Sequence, residues 1–134
     1  MCKTIKQKIK FNLFPEIVYA LLMETKKHEA VTGRKAVISS RVGGNFSAYN
    51  GYITGVNVDL LSGKRIVQAW RVSDFPEGIF SMASFVFTRT KDGGTELVLT
   101  HRGVPKHLIP AIEKGWREHY WDKIKNYNSS KNNK

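Results

Sequence analysis

The feature that most constrains this chain is a series of turn signals at short intervals between residues 35 and 103. Gly43-Gly44, Asn50-Gly51, Ser62-Gly63-Lys64, Pro76-Glu77-Gly78 and Asp92-Gly93-Gly94 punctuate the stretch. Asn-Gly and Gly-Gly supply the positive φ that tight hairpins need. Between them lie segments with strand character, at 36–39, 45–49, 52–61, 65–72, 81–90 and 95–102. Strands joined by loops this short have room only to run antiparallel to their neighbours. The pattern predicts a meander of about six strands.

Two flanking patterns complete the layout. Residues 4–11 alternate, with Ile5, Gln7, Ile9 and Phe11 on one side and Lys6, Lys8 and Lys10 on the other. That is a half-buried strand with a lysine-lined outer face, added elsewhere on the sheet. Pro15 then opens a helix carrying Ile17, Val18, Leu21 and Leu22, since a missing N–H costs nothing in the first turn. The polar stretch 25–33 is a candidate for a short second helix. After Pro105 a long helix is expected over about 110–127, with Ile109, Ile112, Trp116, Tyr120, Ile124 and Tyr127 in one apolar stripe. Gly115 inside it costs up to ~1 kcal/mol against Ala, which points to close backbone approach, most simply to the sheet. An antiparallel sheet with one apolar face needs a cover, and only the long helix is large enough. The expectation is an α+β layer fold.

Composition fits one globular domain spanning 1–127. The 134 residues are 41% hydrophobic, enough to bury a core without staples. Residues 128–134 carry no apolar group and are expected to form a disordered polar tail. A single cysteine, Cys2, excludes an internal disulfide framework and reads as incidental at the terminus. No run of apolar residues reaches membrane-spanning length, and no apolar segment follows the basic N-terminus as in a secretory signal. The expected location is cytoplasmic. Twenty-two Lys+Arg against eleven Asp+Glu leave a net charge of +11, which draws acidic protein, anionic lipid or nucleic acid.

No catalytic constellation is visible, and no cofactor is expected. The glycine pairs lack the trailing Lys-Ser/Thr of a phosphate loop. His28, His101, His107 and His119 have neither the spacing nor the partners of a metal site. His101 is read as a satisfied core or rim histidine. The aromatic set supports two readings. If Ile66, Trp70, Phe85, Phe87, Ile112, Trp116 and Tyr120 converge incompletely, they line an apolar ligand cavity. If they converge fully, they are close-packed core. A partner-binding basic face is expected from Lys6, Lys8, Lys10, Arg34, Lys35 and Arg41. Specific nucleic-acid binding is not expected, because most aromatics fall on predicted inward faces rather than between the basic residues.

An ordered series of short motifs carries a resemblance over nearly the whole chain. It begins with Gly43-Gly44-Asn45-Phe46, Asn50-Gly51-Tyr52 and Trp70-Arg71, then Phe75-Pro76-Glu77-Gly78. It continues with Gly94-Thr95-Glu96-Leu97, Gly103-Val104-Pro105, Gly115-Trp116 and Tyr120-Trp121. The series resembles the C-terminal domain of the activator of the heat-shock protein 90 ATPase, in the START, or birch-pollen-allergen, superfamily. The resemblance implies a helix-grip fold: a curved seven-stranded antiparallel sheet around a long C-terminal helix, often with a cavity between them. It also implies a non-enzymatic co-chaperone that binds a heat-shock protein 90 chaperone and stimulates its ATPase. The activators carry a separate N-terminal domain, whereas this chain begins at the first strand of the C-terminal-like domain. The alternative function is a carrier for a small hydrophobic ligand.

Overall fold

The computed structural model describes residues 3–132, with side chains as far as Tyr127. Cys2 and the last two residues of the expected tail lie outside the described residues. The strands are β1 (Ile5–Phe11), β2 (Val37–Ile38), β3 (Asn45–Ala48), β4 (Ile53–Leu61), β5 (Arg65–Val72), β6 (Ser81–Arg89) and β7 (Thr95–Arg102). They form one curved antiparallel sheet in the order β1-β7-β6-β5-β4-β3-β2. The meander follows from its turns, and β1 joins at the far edge beside β7, from Ile5 opposite His101 to Phe11 opposite Thr95. The alternation in β1 holds: Ile5, Ile9 and Phe11 are buried and the three lysines are exposed.

Helices α1 (Pro15–Met23) and α2 (Thr25–Thr32) fill the connection from β1 to β2. Pro15 sits in the first turn of α1, and Gly33 ends α2 in the left-handed conformation that favours glycine. The C-terminal helical segment starts with a 3₁₀ turn (Lys106–Leu108) and α3 (Ile109–Trp116). It passes through a π turn (Arg117–Trp121) into α4 (Asp122–Asn132). The expected single straight helix is therefore interrupted. Its backbone also continues into the polar segment expected to be disordered, as far as Asn132, because adding residues to an existing helix is far cheaper than starting one.

The strand expected over 36–39 is reduced to Val37–Ile38: at one end the Ala36 N–H donates to Glu29 Oε2 at 3.0 Å, and at the other the chain is held by Asn57. This side chain is fully buried. Its amide donates to the Ser39 and Arg41 carbonyls at 2.8 and 3.1 Å and accepts from Gln68 Nε2 at 3.2 Å. The loop carbonyls are drawn to Asn57 rather than onward along a ladder, and the β4–β5 register shifts just beyond it, between Asn57 and Asp59.

One core lies between the sheet and the helices. Ile66, Trp70, Phe85, Leu97 and Leu99 from the sheet meet Ile112, Trp116, Tyr120, Trp121 and Ile124 from the C-terminal segment. Among the described residues, no helix is long and apolar enough to cross a membrane.

Candidate functional site

The π turn governs how the helix meets the sheet. In a straight α-helix, residues 116, 120 and 124 share a face and residue 121 lies about 100° around from 120. Here the Asp122 N–H reaches back five residues to the Arg117 carbonyl. That wider turn brings residues i and i+5 to the same side. The Trp116 and Trp121 rings stack 5.5 Å apart at 13°, and both are buried. Trp121 Nε1 donates to Gln7 Oε1 at 2.7 Å, and Gln7 Nε2 donates to the Glu113 carbonyl at 3.0 Å. Gln7, the one polar residue on the inward side of β1, ties that strand to the helix. The apolar stripe gave no sign of Trp121, and only the exception at Gln7 could have hinted at its role.

Two buried histidines are fully committed to the core. Trp116 Nε1 donates to His101 Nδ1 at 3.0 Å, so the proton sits on Nε2, which donates to Ser81 Oγ at 2.7 Å. Ser81 in turn donates to the Trp70 carbonyl at 2.8 Å. Burial pushes the His101 imidazole down to about 3, so it is neutral at ordinary pH. His28 Nδ1 faces the Leu22 carbonyl at 3.2 Å and therefore carries the proton. Its Nε2 accepts from the Tyr120 hydroxyl at 3.0 Å. Burial lowers the His28 pKa and raises that of Tyr120.

The expected cavity divides into two unlike spaces. Beneath the π turn, the space bordered by Ile66, Trp70, Phe85, Trp116 and Tyr120 is only about 20 Å³, too small for an organic ligand. Those rings have closed into core. Beside it a cleft of about 480 Å³ opens between α3 and the β4–β5 strands. Trp70, Ile112, Trp116 and Tyr120 line this cleft together with Tyr49 and Tyr52. Ile66, Phe85 and Phe87, expected as lining, do not reach it. Phe87 instead packs edge-on against Tyr19 of α1, with ring centres 5.7 Å apart.

Gly115 also lines the cleft, and the expected close approach to the sheet is absent. A Cβ there would meet only His119 Cδ2, at 3.9 Å. The helix thus carries the cost of a glycine with no packing in return, and the result is open volume.

The far wall of the cleft is strained. Tyr49 and Asn50 hold φ of 52° and 59°, which is uncommon for a bulky tyrosine. The Tyr49 hydroxyl donates to the His119 carbonyl within the π turn. The Tyr49 ring packs against His119 and Tyr120, with Lys123 Nζ 6.0 Å from its centre. Tyr52 donates to Asp74 at 2.8 Å. Both hydroxyls are pushed up to about 12, chiefly by burial, so they remain protonated donors. At the mouth, Lys114 and Glu118 stand 3.9 Å apart. The cleft offers ring faces and hydrocarbon, with charge only at its rim. Among the described residues, no group of three His, Cys, Asp or Glu is placed to hold a metal ion.

The expected basic face is split. Lys6, Lys8 and Lys10 lie on β1 at one edge of the sheet. Arg34 and Lys35 precede β2, where the Lys35 N–H donates to Asn50 Oδ1, and Arg41 lies in the β2–β3 turn at the opposite edge. Sequence proximity brought Arg34, Lys35 and Arg41 together, but five strands lie between their edge of the sheet and the lysines.

The fold and motif series have close counterparts. A family described as "Activator of Hsp90 ATPase homolog 1-like protein" matches residues 12–129. The chain is 32% identical over 92% of its length to the activator of 90 kDa heat shock protein ATPase homolog of Dictyostelium discoideum. It is 33% identical, over 92% of its length, to homolog 1 of Homo sapiens. It spans 32% and 36% of those two relatives, about a third of each. An HSP90 activator from Plasmodium falciparum superimposes with a TM-score of 0.88 at 22% identity, covering 94% of this chain and 96% of that one. With the helix-grip architecture and a family match over most of its length, the chain belongs to the family of activator of Hsp90 ATPase homolog 1-like proteins.

Proposed function

We propose that this chain is a non-enzymatic, cytoplasmic co-chaperone module that binds a heat-shock protein 90 chaperone and stimulates its ATPase. The observation that carries this reading is the Plasmodium falciparum protein described as an HSP90 activator, which this chain covers almost end to end. The relatives matched at 32–33% identity are named activator of 90 kDa heat shock protein ATPase homologs. The mechanism is conformational. A module that binds the ATP-hydrolysing state of the chaperone more tightly than its resting state shifts the population toward hydrolysis. A tenfold shift needs a differential affinity of about 1.4 kcal/mol. The surplus of basic residues supplies salt-sensitive attraction to an acidic partner.

The test is ATP turnover by the cognate chaperone with increasing amounts of this protein. Turnover should rise to a plateau, and added salt should move the half-saturation point to higher protein concentration. Unchanged turnover at a concentration where binding is saturated would overturn the reading.

The cleft favours a second reading, a carrier of a small apolar ligand. Its support is the open volume at Gly115 beside a ring-lined wall. A carrier's melting temperature should climb with ligand concentration. Gly115→Leu, which projects a side chain into that volume, should abolish the climb while the protein remains folded.

A further inference from the structure

The strand register builds the outer face of the sheet, away from the helix, in rows. One row runs Val56, Ala69, Met82 and ends on Arg102. The next runs Asp59, Val67, Ser84, Thr100 and ends on Lys6. A third runs Leu61, Arg65, Val86, Val98 and ends on Lys8, with Arg65 paired to Asp59 at 2.7 Å. Across β6 and β7 the rows carry apolar or small hydroxyl side chains, and each is cationic where β7 meets β1; the charges at the β4–β5 side, Arg65 and Asp59, neutralise each other. In the fourth, Lys10 lies opposite Glu96.

The centre of this face exposes large apolar side chains. Met82 and Val86 are 41% and 42% exposed. Toward β2 a hollow of about 410 Å³ is lined by Val37, Thr54, Val56 and Phe80, with Phe80 itself half exposed. Among the described residues, neither Lys6, Lys8 nor Arg102 forms an ion pair. An antiparallel sheet ordinarily turns polar side chains to water on its open face. Exposed apolar side chains interrupted only by the small hydroxyls of Ser84 and Thr100, and bordered by unpaired cations, are instead the anatomy of a docking surface, with a desolvated centre and a charged rim.

We propose that this face is where the chain docks an acidic protein surface with an apolar centre. The inference deepens the co-chaperone reading and rests on it, by naming which surface meets the chaperone. Charge decides the occupant. A second copy would bring another net charge of +11 against the first. A nucleic acid would use the cations but gain nothing from Met82, Val86 and Val98, since phosphate contacts need no apolar centre. Only a partner with carboxylates around an apolar patch satisfies both parts of the face.

The test is direct binding of the cognate chaperone by full-length variants. Lys6→Glu with Lys8→Glu reverses two free cations on the rim, and Met82→Glu places a charge in the centre. Lys26→Glu with Lys125→Glu removes the same amount of charge from exposed positions on α2 and α4. The rim pair and Met82→Glu should each weaken binding by about tenfold or more, and the helix pair by less than about threefold. Circular dichroism should show all three folded like the parent.

Several results would overturn the inference. If the parent fails to bind the chaperone, the co-chaperone reading falls and this one with it. If the parent binds and the helix pair weakens it as much as the rim pair, only the choice of face falls. Loss of duplex DNA binding in the rim pair with chaperone binding intact would make the face a nucleic-acid surface. A parent dimer that Met82→Glu dissociates would make it a self-interface.

Discussion

The same helical segment meets the same sheet in two different ways. Under the π turn, Trp116, Tyr120 and Trp121 fill the space against Trp70 and Phe85 and leave about 20 Å³. On its α3 side, where Ala111 and Gly115 face the β4–β5 strands, about 480 Å³ stays open. The closed side has two tryptophan indoles whose N–H groups must find acceptors, and His101 and Gln7 provide them. The open side has small residues and tyrosines whose hydroxyls are already engaged at the wall. Trp70, Trp116 and Tyr120 border both spaces, and the open one lies where the helix presents Ala111 and Gly115 with no side chain long enough to fill it.

The hardest way to break the contrast is Trp116→Ala. It removes a buried ring that touches Trp70, Phe85, Tyr120 and Trp121, and it leaves His101 Nδ1 without its donor. The closed side would become a second cavity. Urea denaturation should show a loss of about 3–5 kcal/mol or more.

Acid should attack the closed side selectively. The His101 pKa is about 3 in the folded protein against 6.5 as its ordinary value, so the unfolded chain takes up its proton first as pH falls. The stability from keeping His101 neutral is complete above about pH 6.5. It is lost progressively as pH falls toward 3, and His28 acts in the same direction. His101→Gln removes one such proton. Its plot of unfolding free energy against pH should be flatter than the parent's between about pH 6 and 4, by about 1.4 kcal/mol per unit.

The smallest effect sharpens the contrast from the open side. Gly115→Ala should raise stability by up to about 1 kcal/mol, because the helix gains and the added Cβ meets only ordinary contact with His119. A loss of stability, measured by the same denaturation, would mean the glycine is needed for packing after all.

The strands were readable because a Gly-Gly or Asn-Gly turn and a two-residue alternation are local properties. The buried face of β1 and the burial of Trp70, Trp116 and Tyr120 followed from that alternation and from helical spacing. The cleft was half legible. Trp70, Ile112, Trp116 and Tyr120 do line it, but Ile66, Phe85 and Phe87 share the inward direction without sharing the space. Direction is set along one strand, whereas open volume depends on how three elements converge. Tyr49 escaped notice because a strained tyrosine beside Asn50-Gly51 looks, in sequence, like the last residue of a strand.

The sequence alone determined the antiparallel meander, the lysine-bearing first strand and the helix that must cover the sheet, because turns and periodicities act between neighbours in the chain. Tertiary structure alone decided the π turn that buries Trp121, the Trp116–His101–Ser81 chain of hydrogen bonds and the open volume at Gly115. It also sent Arg34, Lys35 and Arg41 to the edge opposite Lys6, Lys8 and Lys10. Those outcomes depend on contacts between residues far apart in sequence, where volume, ring orientation and acceptor position are fixed only when the sheet and helix pack together.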